Sequence, residues 1–286
     1  MHNRNRRLTV SDQSGPMQKH HFLLRRLHSL TGIVPVGVFL IMHLTTNSTI
    51  AWGGLNSRAH GDGWVDRSIA TFQHEVEFIN NMPLLLLIEI TLWASIGFHS
   101  ILGVVYAMSG RPNNADYKYG GNARYTLQRL TGYFGIFFIF YHVATLRWGW
   151  DWLPGAAKWS HEHAASTLAH ALQGSTEQFT TTGLFVSIFY FIGVSALVFH
   201  FANGLWTAAI TWGLTISRKA QQRWGFACAG LGAVLMMMAW VSVVGFATLD
   251  YEQARSVEEA MKLDSLPIDS GSHTETAAVE QTDIDG

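Results

Sequence analysis

The chain has 286 residues, of which 48% are hydrophobic and only 14% charged, against roughly 25% charged in an average soluble domain. Half of its 20 acidic residues lie before Asp250 and half from Asp250 onward, so the formal net charge of −1 conceals an apolar body almost free of carboxylates. That is a membrane composition: it offers no basic stripe for nucleic acid, and the single cysteine, Cys228, excludes an internal disulfide, a CxxC zinc site and an iron–sulfur cluster held by this chain.

Residues 1–20 are polar and basic and carry no apolar stretch of the kind found in a cleavable signal peptide, so they predict a cytoplasmic N-terminal segment. A bilayer-crossing helix needs about 20 mostly apolar residues. Five segments meet that length: Leu27–Ile50, Met82–Met108, Leu127–Trp148, Leu184–Ile216 and Trp224–Leu249. The expected fold is an all-α membrane protein, with residues 21–250 forming a five-helix transmembrane bundle. Pro35 removes a backbone donor early in the first span and predicts a kink. The connections Ala51–Asn81 and Gly149–Gly183 are long, rich in tryptophan, and predict short interfacial helices or caps. Residues 251–286 are acidic and read as a largely mobile tail.

Lysine and arginine set the orientation. The segment before the first span, the second connection with its edge, and the fourth connection together hold thirteen of the nineteen. The positive-inside rule then places the N-terminus in the cytoplasm and the C-terminus outside.

Each of the first four spans carries one histidine near its middle or far end: His43, His99, His142 and His200. Ionisable groups within a hydrocarbon layer are costly and mark functional sites by default. The first span reads Leu30-Thr31-Gly32, then ten residues, then His43; the third reads Leu130-Thr131-Gly132, then nine residues, then His142. Each histidine thus lies ~16 Å along the helix beyond its mark, which pairs His43 with His142 toward the outer face. The second and fourth spans share Phe-His-x-x-x-Gly, at His99 with Gly103 and His200 with Gly204. This pairs His99 with His200 nearer the cytoplasm. Two haem irons, each taking one imidazole on either face, account for the set. Gly103 and Gly204, one turn from a ligand, clear a surface for a flat macrocycle. With both axial positions filled, electron transfer is the expected task.

Arg26-Leu27-His28-Ser29-Leu30-Thr31-Gly32 with Phe39-Leu40-Ile41-Met42-His43 resembles the first helix of the dihaem cytochrome b subunit of bacterial succinate dehydrogenases and fumarate reductases. The resemblance continues through Gly97-Phe98-His99-Ser100, Gln128-Arg129-Leu130-Thr131-Gly132-Tyr133 and His200-Phe201-Ala202-Asn203-Gly204, and covers roughly residues 20–250. It implies a membrane anchor for a flavoprotein with FAD and an iron–sulfur protein. Electrons would pass from the iron–sulfur protein to an inner haem b (His99, His200), then to an outer haem b (His43, His142), and exchange with menaquinone. The dicarboxylate chemistry would sit on the flavoprotein, in the respiratory chain of a bacterial cytoplasmic membrane. Some members carry a glutamate two residues before the fourth histidine; here that position is Val198.

Other residues admit two readings each. Arg26, His28, Ser29 and Arg129 lie at the cytoplasmic mouth, suited to haem propionates or to plain interfacial anchoring. Glu89 is the one carboxylate within a span, suited to a quinone-linked proton group or to a bond with a neighbouring helix. Two other functions fit the spans. One is the cytochrome b subunit of a nitrate reductase, hydrogenase or formate dehydrogenase, although such subunits often draw two ligands from one helix. The other is a haem-free transport or structural protein using histidines as polar contacts.

Overall fold

The computed structural model describes residues 20–109 and 120–265. Among these residues all regular structure is helical. A rod at the N-terminus is made of α1 (His21–Ile33) and α2 (Pro35–Trp52). It is broken at Pro35, which has no N–H to offer the carbonyl four residues back. The backbone bonds of Val34 to Leu30 (2.8 Å) and Val38 to Val34 (3.2 Å) carry the helix across the break. There follow α3 (Trp64–Asn80), α4 (Leu85–Ser109), α5 (Gly120–His142), a π-helical turn over Val143–Arg147, α6 (Ala164–Gln173), α7 (Thr181–Thr211), α8 (Arg218–Thr248) and α9 (Tyr251–Ser265).

Four stretches among the described residues are long and apolar enough to cross a membrane: His21–Leu55, Leu85–Ser109, Thr181–Thr211 and Arg218–Thr248. The expected third span differs. Its helix, α5, has the length but carries Arg124, Gln128 and Arg129 in its first turns. Those polar groups are matched inside the bundle: Arg124 Nε donates to Asn203 Oδ1 (3.1 Å), and Asn203 Nδ2 donates to Gln128 Oε1 (2.7 Å). Hydropathy alone therefore understates how far α5 is embedded among its neighbours. It packs along α7, while α2 and α7 both pack on α8 and α1 packs on α4. The long helices turn apolar faces outward, with Ile41, Leu86, Ile90, Phe137, Ile188, Ile192 and Val234 all exposed.

One end of the bundle is closed by α3, α6 and α9. The Gly183 N–H caps onto Thr180 Oγ1 at 3.0 Å, and a side chain on Gly183 would collide with the backbone of Gln173, so this glycine permits α6 to butt against α7. The cap is held by buried polar side chains. Glu258, 1% exposed, accepts hydrogen bonds from Ala165 N (2.7 Å), Ser166 N (3.1 Å) and Ser166 Oγ (2.6 Å), while Gln173 Nε2 donates to Leu249 O at 2.6 Å.

Part of the segment expected as a tail is helical. Residues 251–265 form α9, which buries Ala254, Val257 and Glu258 against α3 and α6. Acidic composition hid a face with apolar residues at helical spacing. The remainder of the expected tail, 266–286, and residues 1–19 lie outside the described residues.

Candidate bis-histidine sites

A cavity of about 660 Å³ runs along the bundle, lined by residues of α1, α2, α4, α5, α7 and α8 and closed at the capped end in part by Leu168, Ala171 and Leu172 of α6. His43, His99, His142 and His200 all line it. The rings of His43 and His142 stand 5.8 Å apart between centroids at 79°, and those of His99 and His200 stand 6.1 Å apart at 87°. Two metal–imidazole bonds of about 2 Å each, plus the two ring radii, place axial imidazole centroids about 6 Å apart. Both separations suit an iron between the rings. No three or more His, Cys, Asp or Glu side chains converge as a protein-held metal would need, among the described residues. An iron already held by a porphyrin requires only two.

The pair farther from the cap is oriented by the backbone. His99 Nδ1 donates to His28 O at 2.8 Å, and His200 Nδ1 donates to Gln128 O at 3.0 Å. A proton fixed on Nδ1 leaves Nε2 as the free ligand nitrogen. In both cases the accepting carbonyl lies four residues before the glycine of the Leu-Thr-Gly repeat. A Cβ on Gly32 would sit 2.6 Å from His99 Nδ1, and one on Gly132 would sit 2.9 Å from His200 Cε1. A helical side chain lies over the preceding turn, so glycine there uncovers the carbonyl. The repeated tripeptide thus serves the histidines of α4 and α7 rather than those of its own helices.

The pair near the cap is arranged by side chains. Phe39 stacks on His43 (5.3 Å, 21°) and Phe138 on His142 (6.1 Å, 22°), each from one turn earlier. Tyr190 Oη lies 3.3 Å from His142 Nδ1, and Asn47 Nδ2 lies 3.5 Å from His43 Nδ1 while donating to His43 O at 2.7 Å.

Gly103 and Gly204 line the cavity, and their nearest neighbours are His28 and Gln128, at 3.2 Å and 3.4 Å from an added Cβ. His28 stacks on His99 at 4.1 Å and 10°. Its Nδ1 and the Tyr106 hydroxyl are buried with no hydrogen-bond partner in the structure, which suits a polar group entering the cavity at that end. Ser29 lines the cavity and accepts a hydrogen bond from Trp212 Nε1 at 2.8 Å. Arg129 lines it with its guanidinium 5.3 Å from the Tyr125 ring. Arg26 instead borders a separate hollow with Leu27, Leu30, Trp212 and Leu214; the arginine of that turn on the cavity wall is Arg25. Glu89 differs from a buried lone acid: its side chain is 39% exposed and pairs with Arg147 at 3.4 Å, because α4 begins only one turn before it. Val198, 1% exposed, packs with Leu44, Leu235 and Ala239.

No family model matches the chain. It is 32% identical over 204 residues to the succinate dehydrogenase cytochrome b558 subunit of Bacillus subtilis (strain 168), an alignment covering 70% of this chain and 85% of that protein. The chain belongs to this family. The residues beside the histidines to which the sequence alone gives no role are Phe39, Phe138, Asn47, Gln128 and Tyr190. The first two carried a signal, since phenylalanine stands four residues before both His43 and His142. Gln128 stands four before Gly132, as His28 does before Gly32. Tyr190 had none, because its helix meets His142 only through tertiary packing.

Proposed function

We propose that this chain is the dihaem membrane subunit of a succinate:quinone oxidoreductase, holding one haem b between His43 and His142 and a second between His99 and His200. The observation that carries the reading is two imidazole pairs with the ring separation of axial ligands, lining one apolar cavity. A haem held by each pair would supply reversible one-electron transfer. The chain's own contribution is to fix four imidazoles and exclude water. His28, Ser29, Tyr106 and Arg129 stand at one end of the cavity, where hydroxyl, imidazole and guanidinium donors suit propionate carboxylates.

In this reading α5 is the fifth membrane-crossing helix, the arginine-bearing end faces the bacterial cytoplasm, and the capped end faces outward. The cytoplasmic end then receives an iron–sulfur protein joined to a flavoprotein with FAD, and electrons leave to menaquinone. Glu89, at the outer mouth of the cavity, is assigned as a proton group for the quinone. The one-histidine-per-helix arrangement disfavours the nitrate reductase, hydrogenase and formate dehydrogenase types.

The test is a reduced-minus-oxidised spectrum of the purified complex from cells supplied with haem. Two low-spin b haems per chain, copurifying with a flavoprotein and an iron–sulfur protein, are expected. Absence of b-type bands overturns the reading.

A further inference from the structure

The Nδ1 of His142 has an acceptor within reach. His142 is the last residue of α5 before the π-helical turn. If its Nε2 lone pair faces the cavity, its Nδ1 carries the proton. The partner of that N–H is the Tyr190 hydroxyl oxygen at 3.3 Å. The hydroxyl then turns its own proton toward the neighbouring Thr145 side chain, which interacts with it. Thr145 is fully buried, and its Oγ1 in turn donates to Tyr141 O at 2.9 Å. The relay ends on a main-chain carbonyl, which needs no further acceptor. Thr145 belongs to the π-helical turn, a distortion found frequently at functional sites.

The tyrosine is held in place. Tyr190 is 7% exposed, packed edge-on against Phe138 at 5.3 Å and with its ring 5.8 Å from that of His142. Gly193, one turn along α7, has no side chain to obstruct the Phe138 ring. The other two histidines with a partner able to accept, His99 and His200, use main-chain carbonyls instead.

We infer that Tyr190, backed by Thr145, is a positioning residue that fixes the Nδ1–H form of His142 and sets the reduction potential of the outer haem alone. The inference rests on the haem assignment above. A hydrogen bond accepted from the distal imidazole N–H raises the basicity of a metal-bound histidine. A more basic ligand favours the ferric state. Removing the acceptor therefore shifts the outer midpoint to more positive values and leaves the inner one in place.

The experiment is a potentiometric titration of the intact complex, following both haems optically and by the resonance positions of their ferric forms. Tyr190→Phe keeps the ring and deletes the acceptor. Thr145→Val deletes the relay while leaving Tyr190 untouched, and Thr145→Ser restores a hydroxyl. A positive shift of the outer midpoint in Tyr190→Phe, a smaller one in Thr145→Val, and wild-type values in Thr145→Ser are expected. Should Tyr190→Phe lose the outer haem, Thr145→Val decides alone. An unmoved outer midpoint, or equal movement of both haems, overturns the inference. Failure of the underlying reading looks different: a wild-type complex without two b haems, or a His142→Ala variant that keeps both.

Discussion

Gly32 and His99 belong to different helices, yet the imidazole rests where the glycine's side chain would be, 2.6 Å from an added Cβ at Nδ1. That ring cannot swing aside cheaply, because its Nδ1 is tied to His28 O at 2.8 Å. Gly32→Ala is therefore expected to displace His99 and abolish the inner haem while the outer one stays. Gly132→Ala is milder, its closest approach being 2.9 Å to His200 Cε1. Difference spectra of the two variants check the order; equal retention of both haems in Gly32→Ala contradicts the steric account.

The pairing of rings sets a second expectation. His43→Ala and His142→Ala each remove the same haem, and His99→Ala and His200→Ala each remove the other. Haem content and spectrum of the four single variants are the measurement. Loss of one haem by both His43→Ala and His99→Ala, with His142→Ala affecting the other, refutes the pairing.

The cap depends on one carboxyl. Replacing Glu258 by alanine strands the Ala165 and Ser166 backbone donors and leaves the Ser166 hydroxyl only its longer bond to His163 O, at a cost of about 3 kcal/mol to the cap. Burial pushes the Glu258 carboxyl up from its ordinary range, against the lowering effect of its hydrogen bonds to Ser166 and Ala165. A raised folded-state value gives stability that is fully present below the unfolded value and lost as pH climbs through the raised one. Glu258→Gln, which stays neutral, should therefore gain on the wild type as pH rises above the usual glutamate range. Hydrogen exchange of α9 amides at several pH values reads this directly. A constant difference between the two proteins speaks against it.

Glu89 offers a functional check. If it serves quinone protonation, Glu89→Gln lowers quinone-linked turnover by about a hundredfold or more, the range of general acid–base effects. Both haem spectra and the reduction of a water-soluble acceptor by succinate stay unchanged. Quinone-linked turnover at the wild-type rate leaves the Glu89–Arg147 pair a structural contact.

Much of this was legible in the chain and some was not. His43, His99, His142 and His200 stood out because an imidazole in an apolar run is conspicuous against its background. The cap helix α9 was obscured by its acids, although Ala254, Val257, Glu258 and Met261 fall at the spacing of one helical face. The start of α5 was blurred for the opposite reason: Arg124 looks like a loop residue until Asn203 is seen to satisfy it. Leu-Thr-Gly marked a repeat, but its target lay on another helix, and no one-dimensional pattern reports what a glycine faces. Tyr190 and Thr145 are invisible for the same reason.

The two imidazole pairs differ in how readily they can be altered. A main-chain carbonyl persists whatever residue bears it, so the orientation of His99 and His200 is inherited from the helices themselves. The support of His142 comes from a phenol and an alcohol, each exchangeable by a single codon change. One centre is thereby anchored to the architecture, while the other is open to gradual retuning among descendants without any change of fold.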